Sequence, residues 1–151
     1  MPKIDKKTLG GTMRLGIRPT IFQPGCEWSR LRQLYGEKKI INERHRHRYE
    51  VNPDYIERLA KSGLGFVGKD DKGARMEILE LKDHSWYVGI QFHPEYLSRV
   101  LQPSRPYLGF VAAAAGCLES ISKGTVIADG NAGANCMVNG TLSNGIAGVS
   151  I

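Results

Sequence analysis

A strand that ends in His-x-Glu can do acid–base chemistry. Residues 86–90 form an unbroken apolar run, Trp86-Tyr87-Val88-Gly89-Ile90, and Gln91-Phe92-His93-Pro94-Glu95-Tyr96 follows. Residues two apart in extended chain point the same way, so Glu95 can face the ring of His93. A carboxylate on one ring nitrogen fixes the tautomer and leaves the other nitrogen as a base. Pro94 has no backbone N–H and closes the ladder there. The spacing alone does not decide between this pair and a structural histidine at a strand end.

A second group of residues carries charge. Arg44-His45-Arg46-His47-Arg48-Tyr49-Glu50 lies in a segment with strand character. A period of two puts three arginines on one face and two histidines on the other. Guanidinium is the side chain best shaped to grip a carboxylate or phosphate with two bonds. Two other readings stand beside that one. The arginines can protect an edge strand from aggregation, or form a nucleic-acid patch. The last usually needs interleaved aromatics, and only Tyr49 is near.

The nucleophile that such a base would serve is harder to find. The three cysteines are Cys26, Cys117 and Cys136. A nucleophile elbow needs small neighbours between an apolar strand and a helix. Cys26 follows a Pro24-Gly25 turn and precedes Glu27. Cys117 falls in a helical stretch and Cys136 in a Gly/Asn/Ser-rich segment. No cysteine–histidine metal spacing and no phosphate-binding glycine loop is visible. An odd cysteine count without metal spacing fits reduced thiols in the cytoplasm.

The elements that must position these residues suggest one α/β unit. The chain has 151 residues, a net charge of +6 and 41% hydrophobic residues, enough for one ordinary core. The positive charge favours anionic partners. The longest apolar stretch, 107–118, is too short for a bilayer, so no membrane partner is expected. Extended chain is expected over 11–21 and 40–51, and helices over 27–35, 53–62 and 106–121. A hairpin is expected around Lys69–Gly73, with strands 64–67 and 75–81. The run 86–92 is apolar on both faces, which predicts a central strand covered on both sides. Residues 122–151 hold no aromatic, one Lys and one Asp, and are expected to form a disordered tail. The expected division is therefore 1–121 and 122–151.

Three segments together carry a family resemblance: Gly10-Gly11-Thr12-Met13-Arg14-Leu15-Gly16, Glu43 to Asn52, and Gln91 to Tyr96. They resemble the C-terminal part of the glutamine amidotransferase domain of CTP synthase, in wording closest to fungal forms. The resemblance covers about residues 1–121. It implies the C-terminal half of a flavodoxin-like class I amidotransferase domain, with an incomplete sheet of otherwise parallel strands. It implies His93 as the base and Glu95 as the orienter of a Cys-His-Glu triad, and Arg48 as the arginine that binds glutamine. It implies glutamine hydrolysis that supplies ammonia for ATP-dependent conversion of UTP to CTP. ATP, Mg²⁺ and the activator GTP would act in the complete enzyme, a homotetramer in the family, and none is expected on this chain. The family nucleophile and the amidoligase domain match nothing here. The chain is thus expected to be a fragment, inactive alone, needing the N-terminal half of the enzyme. Two other functions remain open: a non-catalytic module docking on full-length CTP synthase, and a basic RNA-binding module, the latter disfavoured.

Overall fold

The computed structural model describes residues 13–122. The expected tail over 122–151, apart from Ser122, and the Gly10–Thr12 segment lie outside the described residues, as does Cys136. The described part is a mixed α/β structure with one five-stranded sheet. Its elements in chain order are β1 (Arg14–Phe22), α1 (Arg30–Leu34), β2 (Ile40–His47), α2 (Pro53–Lys61) and β3 (Leu64–Lys69). Then come β4 (Met76–Leu81), β5 (Val88–Ile90), α3 (Arg105–Ala114) and α4 (Leu118–Ser122).

The strand order is β2-β1-β3-β4-β5, and every pairing is antiparallel. The parallel arrangement implied by the resemblance is therefore not how these strands pair with one another. Short turns link β3 to β4 and β4 to β5, and only antiparallel strands can be joined that tightly. The run 86–92 also departs from expectation. Only Val88–Ile90 is strand, and it stands at the end of the described sheet, paired on one side with β4. Its apolar residues are covered on one face. Trp86, Val88 and Ile90 pack on the core, with Trp86 so close to α3 that a Cβ on Gly109 would overlap the indole ring, while Tyr87 is exposed.

The sheet curls into a half-barrel. Beyond β5, the backbone N–H of His93 donates to the carbonyl of Arg44 on β2, at 2.8 Å. The two outer strands of the sheet thus approach each other at His93. Phe22, Leu31, Ile41, Val67, Ile78 and Phe92 fill the concave side. Full burial of such side chains contributes about 1.5–3 kcal/mol each.

Local chemistry explains the remaining boundaries. The helix expected over 27–35 begins only at Arg30, because Ser29 caps it. The Ser29 hydroxyl accepts from Arg32 N–H at 3.0 Å and itself donates to the buried carboxylate of Glu80. Asn52 caps α2 as its sequence suggests, with Pro53 in the first turn. The helix expected over 106–121 is two helices. Gly116 adopts φ +70°, a left-handed conformation that suits glycine and stops α3. Among the described residues no helix is long and apolar enough to cross a membrane.

Candidate functional site

β2 separates two kinds of chemistry. Along it Glu43, His45 and His47 turn inward, while Asn42, Arg44 and Arg46 are exposed. The alternation expected of the Arg-His repeat holds as far as His47. Arg48 then stands exposed in the bend after the strand.

On the outer side, His93 and Glu95 meet. His93 Nδ1 lies 2.7 Å from Glu95 Oε1. The contact matches the expectation, but the route to it differs. Residues 94–96 form a 3₁₀ turn, with Pro94 at its start. The carboxylate therefore folds back onto the ring instead of running beside it. The backbone N–H of Glu95, followed by His93, holds the Glu95 carboxyl below its usual range. His93 Nε2 faces the Arg46 carbonyl at 3.2 Å. Both ring nitrogens thus face acceptors. With Nδ1–H donated to Glu95, Nε2 can act as a base only by leaving Arg46. His93 and Glu95 side chains are 37% and 50% exposed, so that motion meets little steric resistance.

Tyr96 organises the arginines beside this pair. Its ring lies 5.3 Å from the Arg44 guanidinium, and its hydroxyl accepts from Arg46 Nη1 at 3.2 Å. It also packs against His93, with centroids 5.7 Å apart. Sequence reasoning assigned Tyr96 no role; an aromatic directly after His-Pro-Glu was the available signal. Arg48 is held indirectly. His47 Nδ1–H donates to the Tyr49 carbonyl on one side of it, and Glu50 pairs with Arg75 at 2.8 Å on the other. Among the described residues no hydrogen bond or ion pair joins Arg48 to His93 or Glu95.

Neither described cysteine looks like the partner of His93. Cys26 packs on the core cluster, and burial pushes its thiol pKa up, with Glu27 adding to the rise. An activated thiol needs the opposite shift. Cys117 packs with Leu34, Ala112 and Leu118. A polar cleft of about 530 Å³ lies among Trp28, Arg30, Gln33, Lys82 and Glu119, and contains neither His93 nor Glu95.

The inner side of β2 holds a buried polar cluster that the sequence analysis did not find. Glu77 Oε1 pairs with Arg14 Nη2 at 3.2 Å, and Oε2 lies 3.6 Å from His45 Nδ1. His45 Nδ1 is also 3.1 Å from His47 Nε2. Burial, aided by the Arg14 charge, lowers the pKa of His45 to about 4. Burial raises that of Glu77 to about 7, against the pull of Arg14. His45 is therefore neutral, and the carboxylate form of Glu77 is held by Arg14. Glu77 reaches the cluster because β4 bulges there. Gly68 pairs with Ile78 and Lys69 with Met76, leaving Glu77 as the extra residue. A bulge re-aims a side chain. The only sequence signal was a charged residue inside Met76-Glu77-Ile78-Leu79.

The model of the glutamine amidotransferase class-I family matches residues 2–113. This chain belongs to that family. Its relatives are CTP synthases: it is 70% identical to that of Neurospora crassa over 123 residues, 82% of this chain and 21% of that protein. It is 58% identical to CTP synthase 2 of Saccharomyces cerevisiae over 131 residues, 87% of this chain and 23% of that one. The solved glutaminase domain of Trypanosoma brucei CTPS with bound acivicin superposes with a TM-score of 0.63 at 36% identity, over 70% of this chain and 40% of that chain. The chain spans about a fifth of the length of these curated relatives.

Proposed function

We propose that this chain supplies the base and substrate-holding part of a glutaminase, and that the ammonia released feeds ATP-dependent amination of UTP to CTP. The observation that carries the proposal is the 2.7 Å contact between His93 Nδ1 and Glu95 Oε1, beside exposed arginines on a single strand. Glu95 holds the Nδ1 proton and stabilises the charge His93 acquires. Once freed from the Arg46 carbonyl, Nε2 takes a proton from a thiol nucleophile and later returns it to the leaving ammonia. Arg48 grips the glutamine carboxylate, with Tyr49 and Glu50 anchored to keep it extended from β2. The residues proposed to work together lie within 1–121.

The thiol is proposed to come from polypeptide outside this chain, which alone should release no ammonia. ATP, Mg²⁺ and GTP are likewise assigned to the remainder of the enzyme. Among the described residues, the one cation-suited cluster contains two imidazoles, whereas Mg²⁺ prefers an all-oxygen set with water. The engagement of Arg44 and Arg46 by Tyr96 counts against a free RNA-binding patch.

The test is ammonia release from glutamine by the chain joined to the remainder of the enzyme. His93→Ala should lower the rate by about 10²–10⁴-fold, and Glu95→Gln by less. Arg48→Ala should raise the glutamine concentration needed for half-maximal rate. Unchanged ammonia release by His93→Ala would remove the proposal.

A further inference from the structure

The inner cluster of β2 has the form of a metal site. Three potential ligands, His45, His47 and Glu77, offer one atom each, all within 4.8 Å of one another. His45 Nδ1 is 3.1 Å from His47 Nε2 and 3.6 Å from Glu77 Oε2. A tetrahedral zinc with bonds of about 2.0–2.2 Å needs neighbouring ligand atoms about 3.3–3.5 Å apart. The two spacings from His45 Nδ1 bracket that value, and His47 Nε2 and Glu77 Oε2, within 4.8 Å of each other, close the set by side-chain rotation.

The surroundings of the ligands point the same way. His47 donates its Nδ1–H to the Tyr49 carbonyl at 3.1 Å. That bond fixes the tautomer and turns the Nε2 lone pair into the cluster, as outer partners do for ligating histidines. Arg14 Nη2 lies 3.2 Å from Oε1 as an ion pair, and neither oxygen of Glu77 accepts a hydrogen bond, with Oε2 facing His45. The side chains of His45 and Glu77 are fully buried. A buried carboxylate oxygen without a hydrogen bond is costly in a finished structure.

We propose that His45, His47 and Glu77 form a binding site for a divalent cation of the zinc class. Two imidazoles and one carboxylate select zinc, cobalt or copper over magnesium and calcium. His45 Nδ1, His47 Nε2 and Glu77 Oε2 are the ligand atoms. The fourth position is taken by water or by an anion, whose negative charge offsets the nearby Arg14. On binding, His45 shifts to its Nε2–H tautomer: the proton it donates to His47 leaves Nδ1 for the other ring nitrogen, and His45 Nδ1 and His47 Nε2 both present lone pairs to the ion. The ion ties β2 to the bulge of β4, directly behind the strand that carries Arg44 and Arg46. This site is separate from the His93–Glu95 pair and does not depend on the proposed glutaminase role.

The experiment titrates the full 151-residue chain with Co²⁺ and then Zn²⁺. One Co²⁺ should bind per chain with the intense visible bands of four-coordinate geometry, and Zn²⁺ should bleach them. His47→Ala removes a half-buried ligand, and should weaken binding by at least about a hundredfold, beyond the effect of losing an outer partner. His93→Ala removes a surface histidine and should leave binding unchanged. Weak octahedral Co²⁺ spectra from the unmodified chain would overturn the proposal. So would loss of binding in His93→Ala with retention in His47→Ala.

Discussion

The two faces of β2 obey opposite rules. Outside, Arg44 and Arg46 meet Tyr96, and His93 meets Glu95, all in contact with water. Inside, Arg14, His45, His47 and Glu77 form a dry network. The same residue types occur on both sides: imidazole, carboxylate and guanidinium. On the outer face water screens each interaction, so charge there is cheap to hold and available for a ligand. On the inner face each charge must be matched or lost, and pKa values move far from their usual range. Function of the exposed kind and architecture of the buried kind are separated by one step of the strand.

The largest effect should come from breaking the inner pair. Glu77→Ala leaves Arg14 almost buried and unpaired, with 14% of its side chain exposed. Removing one partner of a buried pair costs about 3–5 kcal/mol. Denaturant unfolding should record that loss. Replacing both groups by apolar ones, Arg14→Met with Glu77→Leu, should recover most of it, because no lone charge remains buried. If the double variant were as unstable as the single, packing around the bulge and not charge would hold this region.

The outer face was legible in the sequence and the inner face was not, for a physical reason. Arg44 to His47 and His93-x-Glu95 are patterns within a few residues: period-two geometry sets the faces of the first, and a 3₁₀ turn closes the second. The hairpin at Lys69–Gly73 and the Asn52-Pro53 helix start are local in the same way. The cluster around Glu77 depends on which strands pair and in what register. Glu77 and His45 are far apart in sequence, and one bulge residue decides whether they meet. Strand direction was hidden for the same cause. The apolar run 86–92 looks alike whether its cover is neighbouring strands or a helix, and here α3 covers Trp86. At α1, the expected start at residue 27 missed the Ser29 cap, whose hydroxyl is fixed by the distant Glu80.

Asp70 sharpens the contrast between buried carboxylates. Like Glu77 it is buried, yet its pKa moves the other way. Burial alone would raise it. The backbone N–H groups of Arg75 and Ala74, with the Arg75 guanidinium, bring it below its usual value. Those contacts are 3.0, 2.8 and 3.2 Å, and they close the β3–β4 turn. A lowered folded pKa gives stability that is complete above the unfolded value of about 3.9. It is lost as pH falls through the lower folded value. Asp70→Asn should therefore cost about 1–2 kcal/mol at neutral pH. The gap between it and the unmodified chain should close in acid below about pH 4. A gap that persists undiminished in acid would assign the loss to changed geometry and not to charge.

The smallest effect on stability belongs to the residues proposed to do the chemistry. His93 is half-buried and Glu95 exposed, with each other and the Arg46 carbonyl as hydrogen-bond partners and the Tyr96 ring against His93. The bond that draws β5 and β2 together uses the backbone N–H of His93, which an alanine retains. His93→Ala should thus shift folding stability by no more than about 0.5 kcal/mol, the usual range for surface substitutions. Removal of glutaminase activity with unchanged stability would place this pair wholly on the functional side of β2. A stability loss comparable to that of Glu77→Ala would instead make His93 a structural clasp between the sheet edges. The opposition between the two faces would then fail at the residue on which the proposed chemistry rests.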